Sequence, residues 1–390
     1  MSVPSTMKQI LLFTGPRRIF FGLGCLEVLP KELSMLGAKR LLIVTDENIV
    51  RLGYIDKATA LLNDVTSEVF DKVEQEPSLA GVEELASKVR KRDFDAVLGI
   101  GGGSAMDTAK IASLSATNPG HIADYLGTDK VQKKGLPLLC APTTSGTGSE
   151  VTRYAVVKDE RTKRAIVSDL IIPDTALVDP ALTVSMPPKL TSHTGLDALS
   201  HAVEAMISTW ATPLTDTLAL GASRWVFQYL KKAYLNGDDI EARCYMALAA
   251  TTAGLSFNDP RVLLAHSIGQ TIGPIYNIPH GLSAAVALPY MLDFYLTISA
   301  NKIARIGEQA GAHDPEKTPE ENAQAFIDWL FHFYRELNVP FSLRELGIPF
   351  DALEKLSEDT LTFQPRRNTP IPLTKKNVLP LYEKMWRGKI

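Results

Sequence analysis

Asp197 and His201 stand four residues apart in Gly195-Leu196-Asp197-Ala198-Leu199-Ser200-His201-Ala202-Val203-Glu204. On a helix that spacing sets a carboxylate and an imidazole on one face, one turn apart. Two more imidazoles follow: His266 after Ala265, and His280 in Tyr276-Asn277-Ile278-Pro279-His280-Gly281. One carboxylate and three imidazoles suit a divalent first-row ion such as Fe²⁺ or Zn²⁺. A lone histidine is more often a hydrogen-bonded core or surface residue, and His121, His193, His313 and His332 are read that way.

A second constellation lies upstream. Gly101-Gly102-Gly103-Ser104-Ala105-Met106-Asp107-Thr108-Ala109-Lys110 follows an apolar run and opens a helical pattern. Glycines let a backbone approach a pyrophosphate, and a helix N-terminus offers free N–H groups and the positive end of its dipole. The run is neither Gly-x-Gly-x-x-Gly nor a Walker A loop. Pro142-Thr143-Thr144-Ser145-Gly146-Thr147-Gly148-Ser149-Glu150 also follows an apolar run, and its hydroxyls suit the same phosphate–ribose crevice. Asp46 closes Leu41-Leu42-Ile43-Val44-Thr45-Asp46. Two readings of it stand: a carboxylate that accepts from an adenosine ribose and repels a 2′-phosphate, or the N-cap of the next helix.

The elements that carry these residues change in texture along the chain. Residues 41–46, 95–100, 136–141 and 176–180 read as buried strands, and 79–92 between the first two reads as a helix. Strand–helix alternation with continuous apolar strands predicts a parallel, doubly covered sheet. After Met186-Pro187-Pro188 the long alanine- and leucine-rich segments 194–208, 213–235 and 239–256 predict helices. The expected organisation is an α/β nucleotide-binding domain over 1–185 and an all-α metal-binding domain over 186–390.

The bulk numbers agree with two domains. The chain has 390 residues, 45% of them hydrophobic and 22% charged, which is ordinary for a globular protein. A net charge of −3 without basic runs gives no reason to expect nucleic acid or an acidic membrane as partner. Three cysteines, Cys25, Cys140 and Cys244, have no metal spacing and suit a reducing compartment. The first residues lack the apolar core of a signal peptide, and no stretch approaches the length of a membrane helix. A cytoplasmic protein is expected.

The chain resembles the iron-containing (group III) alcohol dehydrogenases from near residue 10 to its end. The resemblance rests on Gly-Gly-Gly-Ser-x-x-Asp-x-Ala-Lys at 101–110 and Pro-Thr-Thr-x-Gly-Thr-Gly-Ser-Glu-Val-Thr at 142–152. It rests equally on Gly-x-Asp-Ala-x-x-His-Ala-x-Glu at 195–204 and Tyr-Asn-x-Pro-His-Gly at 276–281. It implies a dehydroquinate-synthase-like fold and metal-ligand roles for Asp197, His201, His266 and His280. It implies cofactor contacts for Asp46, Gly102, Gly103, Ser104, Asp107, Thr143, Thr144, Thr147 and Leu177. NAD is the expected cofactor, with NADP as the alternative; Fe²⁺ is the expected metal, with Zn²⁺ as the alternative. A small primary alcohol or aldehyde is the expected substrate, and a homodimer or larger homo-oligomer the expected assembly.

Four departures from the family pattern stand out. Gln270 replaces a histidine often invoked in proton transfer; glutamine does not titrate. Asp259-Pro260-Arg261 stands where the family often has Asn-Ala-Gly or Asn-Ala-Ser, near its substrate pocket. Phe257 and Arg261 are therefore the substrate-side candidates: Arg261 either grips an anionic substrate group or, the favoured reading, pairs with Asp259. Glu76-Pro77 replaces a family Asn-Pro in the nucleotide crevice, and Arg164 takes the place of a family lysine near the cofactor. Three other functions compete with the expected one: a reductase of anionic aldehydes or keto acids, a lyase of the dehydroquinate-synthase type, and a non-catalytic nucleotide- or metal-binding protein.

Overall fold

The computed structural model describes residues 10–159, 162–362 and 367–388. Nine strands are formed among them: β1 (Arg18–Phe21), β2 (Arg40–Val44), β3 (Thr66–Phe70), β4 (Ala96–Gly101), β5 (Gly127–Thr128), β6 (Leu138–Pro142), β7 (Tyr154–Asp159), β8 (Thr162–Val167) and β9 (Thr175–Val178). Six make a fully parallel sheet in the order β1-β9-β6-β4-β2-β3. The other three form a small sheet, β5-β8-β7, in which β7 and β8 are an antiparallel hairpin.

The apolar runs make the central strands because both faces of the parallel sheet are covered. Successive residues feed opposite cores. Leu41, Ile43, Leu98, Ile100, Leu139 and Ala141 pack on one side with Leu29 and Leu33. Leu42, Val44, Val97, Leu138 and Cys140 pack on the other with Met106 and Ala109. The expected strands at 41–46, 95–100, 136–141 and 176–180 are all present, with ends shifted by one or two residues. The expected helix at 79–92 runs Leu79–Val89, capped by the Ser78 hydroxyl on Gly81 N–H at 3.0 Å.

The chain separates into two compact units, but not at a single cut. One holds Gly15–Pro187 and takes in Asn236–Gly254; the other holds Pro188–Leu235 and everything from Leu255 on, with the described residues up to Thr14. Helix Ile240–Phe257 carries the chain across this division.

The second unit is helical. Helix His280–Gln309 packs against helices Pro188–Ile207, Leu264–Tyr276 and Pro319–Glu336, and the Tyr334 hydroxyl donates to Ala285 O at 2.7 Å. That helix corrects one sequence reading. It is long and apolar enough to cross a membrane by length and composition, yet 67% of its apolar window is buried, so it is a core helix. Pro289 and the charged residues near its C-terminal end broke the apolar run in the sequence.

Folding the first unit also buries charge. The Lys110 ammonium, fully buried, donates to Ser149 Oγ at 2.7 Å and Tyr154 O at 2.6 Å, and lies 3.7 Å from Asp107 Oδ1. Asp107 accepts in turn from Ser149 Oγ at 2.6 Å and Val156 N–H at 2.9 Å. Burial pushes the Asp107 carboxyl up and the Lys110 ammonium down, each opposed by the other's charge. Removing one partner leaves the other uncompensated, so Lys110→Met is expected to cost about 3–5 kcal/mol of unfolding free energy in urea. A loss below about 1 kcal/mol would show that Asp107 needs no cation.

Candidate metal centre and nucleotide loop

The metal candidates begin on helix Pro188–Ile207, which Pro188 opens without an N–H to waste. Asp197, His201 and Glu204 fall on one helix face, and all three are buried. Glu204 is the organising group. Its Oε1 accepts from the backbone N–H groups of Ala265 (2.8 Å) and His266 (3.3 Å), capping the start of helix Leu264–Tyr276. Its Oε2 bonds the Nδ1 of His266. With that nitrogen engaged, Nε2 is left to face Asp197 Oδ1 at 3.5 Å.

His266 Nε2 and Asp197 Oδ1 are both buried without a hydrogen-bond partner. Two such atoms facing each other are costly unless something satisfies both. A cation does so, and the donor set is right for one: ligand atoms of Asp197, His201 and His266 all lie within 4.8 Å of one another. The rings are held by stacking. Phe257 lies on His201 at 4.2 Å and 13°, and His201 lies on His266 at 4.4 Å and 25°.

His280 stands beside this group, not in it. Its ring meets His266 edge-on at 5.5 Å, at the first residue of helix His280–Gln309. Gly281 makes the approach possible: a Cβ there would lie 2.4 Å from His193 O and 3.0 Å from Asp197 Cβ. Gln270 sits one turn beyond His266 on the same helix and is half-buried.

Arg261 departs from the favoured sequence reading. Asp259 accepts from the Thr14 backbone N–H at 2.9 Å and hydroxyl at 3.0 Å, while the Arg261 guanidinium lies 5.3 Å over the Trp210 ring. The expected Arg261–Asp259 pair is thus replaced by a cation–π contact. The backbone explains it: Arg261 is left-handed, with φ 64°, so the chain turns there as a glycine would let it.

In the other unit, β2 and β4 are neighbours whose following connections run in opposite directions across the sheet. That reversal is where parallel α/β sheets open a ligand crevice beyond their strand ends. Asp46 follows the end of β2 by two residues, and Gly101–Gly103 joins β4 to helix Gly103–Ser115. Asp46 Oδ1 accepts from Asn48 N–H at 2.9 Å and Ile49 N–H at 3.3 Å, which is the N-cap reading. Its Oδ2 faces the glycine loop, 3.8 Å from where a Gly101 Cβ would stand, so capping leaves one oxygen toward the crevice.

The two glycine loops fit together only without side chains. A Cβ on Gly103 would lie 2.8 Å from Thr147 Cγ2, and one on Gly101 would lie 2.6 Å from Ala105 Cβ. A Cβ on Gly102 would lie 3.5 Å from Thr144 Cγ2, and Thr143 N–H donates to Gly101 O at 2.9 Å. Ser104 Oγ donates to Gln75 O. Two expected contacts lie elsewhere. Both Asp107 oxygens are bonded inside the fold, to Ser149 and Val156. Leu177 exposes no surface; it is packed in the core with Leu98 and Leu139. Arg164 is exposed and pairs with Asp159 at 3.1 Å.

Glu204 had no role in the sequence reading. Its signal was available: it stands three residues after His201 and seven after Asp197, on their face of the helix.

Comparison with known proteins settles the relationship. The model of the iron-containing alcohol dehydrogenases matches residues 16–180, and that of the family's C-terminal part matches residues 191–386. The chain belongs to the iron-containing alcohol dehydrogenase family. It is 39% identical over 377 residues to long-chain-alcohol dehydrogenase 1 of Geobacillus thermodenitrificans, covering 95% of each chain. A solved 1,3-propanediol oxidoreductase superposes with a TM-score of 0.94 at 30% identity, over 97% of this chain and all (100%) of that one. Sulfoacetaldehyde reductase from Bifidobacterium kashiwanohense, solved with NAD⁺, gives 0.88 at 29% identity, over 97% and 99%. As a member of this iron-containing family the chain is a metal-dependent oxidoreductase, and the Asp197–His201–His266 group fits the ion.

The electrostatics of that group predict how metal enters. Burial alone would lower the His266 pKa, but the Glu204 and Asp197 carboxylates together outweigh it and raise it from 6.5 to about 9. Below about 9 the metal-free imidazole carries a proton on each nitrogen, and an ion at Nε2 must expel one. Calorimetric titration of Zn²⁺ at pH 7 in buffers of different ionisation enthalpy is expected to show about one proton released per ion, with affinity falling toward acid. Uptake without proton release would contradict that charge state.

Proposed function

We propose that the chain is a cytoplasmic, homo-oligomeric, NAD-linked alcohol dehydrogenase and aldehyde reductase acting on a small primary alcohol or its aldehyde. The observation that carries this reading is the pair of buried, unsatisfied atoms His266 Nε2 and Asp197 Oδ1 beside His201. A bound divalent ion polarises the substrate oxygen, and a bound nicotinamide gives or takes the hydride.

In this reading Asp197, His201 and His266 hold the ion, and His280 closes the set as a fourth ligand. Glu204 fixes the tautomer of His266 and Phe257 shields the His201 ring. Gln270 does not exchange a proton; its amide holds a hydroxyl in place by hydrogen bonding. Gly102, Gly103, Ser104, Thr143, Thr144 and Thr147 bind the dinucleotide phosphates. Asp46 Oδ2 accepts from the adenosine ribose, which favours NAD over NADP. The NAD⁺ complex of the sulfoacetaldehyde reductase supports the cofactor; the long-chain-alcohol and 1,3-propanediol relatives support an alcohol as substrate, and the propanediol enzyme supports a small one. The cysteines Cys25, Cys140 and Cys244 are free, which suits a reducing compartment.

The test is an anaerobic assay of metal-stripped protein reloaded with Fe²⁺ or Zn²⁺, offered NAD⁺ or NADP⁺ with short and long primary alcohols and diols. Turnover restored by metal, faster with NAD⁺, is expected; Asp46→Gly is expected to erode the preference for NAD⁺. No turnover with any combination, in protein that still binds NADH, would overturn the reading.

A further inference from the structure

Glu76 and Lys163 form an ion pair at 2.6 Å, and Lys158 Nζ lies 3.8 Å from the same carboxylate. The segment that carries Glu76 is fixed on both sides. Ser104 Oγ, in the first turn of helix Gly103–Ser115, donates to Gln75 O. Lys158 N–H, on β7, donates to Pro77 O at 2.7 Å, and Ser78 bridges to Lys158. Glu76 is thereby one residue from a direct contact with the end of the helix that the glycine loop opens.

The hairpin decides which cation shares this place. Lys158 and Lys163 are paired across β7 and β8, so their side chains share a face. Arg164 is the next residue along β8 and points to the other face, where it meets Asp159. The family resemblance implies a crevice cation at Arg164; the strand alternation and its burial favour Lys163 for that place. Lys163 is only 8% exposed, against 49% for Arg164, and its partner is a carboxylate where the family pattern has a neutral asparagine.

We propose that Glu76 is a built-in competitor for the cofactor pyrophosphate. It holds the Lys163 ammonium in the nucleotide-free chain and must release it when the dinucleotide phosphates arrive at the glycine loop. Binding then exchanges one ion pair for another, and the remaining carboxylate repels the diphosphate. Both effects weaken affinity and speed release of the cofactor. The inference rests on the dinucleotide reading of the glycine loop and adds to it a determinant that sets how tightly the cofactor is held.

The test is binding, measured by calorimetry and by NADH fluorescence at low and high salt, on the intact chain. Glu76→Gln is expected to tighten ADP-ribose and NADH by about threefold to tenfold at low salt, less at high salt. Adenosine, which has no phosphate, is expected to bind both proteins alike. Lys163→Gln is expected to weaken ADP-ribose and to abolish the gain from Glu76→Gln in the double variant. If the pair merely tethers the hairpin, Glu76→Gln lowers the melting temperature and leaves ADP-ribose affinity unchanged or weaker, and the inference falls. Glu76→Asn supplies the same readout should the glutamine variant fold poorly. A wild-type chain that binds neither ADP-ribose nor NADH would overturn the dinucleotide reading and this inference with it.

Discussion

The Glu204–His266 hydrogen bond organises the helical unit around its chemistry. One buried carboxylate caps the start of a helix with one oxygen and holds the imidazole of its third residue with the other. That double use fixes where His266 enters, which nitrogen keeps its proton and where the other points. Asp197 and His201 then need no further device, because they share the helix face that presents Glu204. In the metal-free chain the proton on Nε2 faces Asp197 Oδ1 across 3.5 Å, and an incoming ion takes that proton's place between the two atoms. Burial raises the Asp197 carboxyl, but the His201, His266 and His280 imidazoles around it outweigh burial and hold it well below its usual range.

The α/β unit solves a different problem, that of bringing backbone rather than side chains to a ligand. Gly101 and Gly103 are required by contacts with Ala105 and Thr147 that leave no room for a Cβ. The buried Lys110–Asp107–Ser149 network then ties the glycine helix to β7 and to the 147–152 turn. Asp107, a residue of the glycine motif, is bonded inside the fold to Ser149 and Val156.

The sequence exposed this fold where burial was two-sided and hid it where burial was partial. The stretches 41–44, 96–100, 138–141 and 176–178 are apolar because they are buried on both faces of the sheet. β3, with Glu68 in the middle of an edge strand, and β1, half-exposed at the opposite edge, lack that signal. The metal group was legible from the Asp197–His201 spacing and the later histidines. Glu204 was marked only by its place on their helix face, since a carboxylate that acts through a histidine otherwise looks like any other helix glutamate. The Arg261 contact was hidden by a left-handed backbone that no residue type announced. Lys163 and Arg164 are neighbours on β8 yet meet different carboxylates, because one position on a strand is the opposite face.

The most direct test of this account is the metal affinity of Glu204→Gln, measured by competition with a chromophoric chelator. The amide can still accept one hydrogen bond but cannot hold the charge that His266 pairs with. Affinity is expected to fall by about 10–100-fold while far-UV circular dichroism stays native. Unchanged affinity in a folded variant would show that Asp197, His201 and His266 position themselves without Glu204, and the account of the site would be wrong.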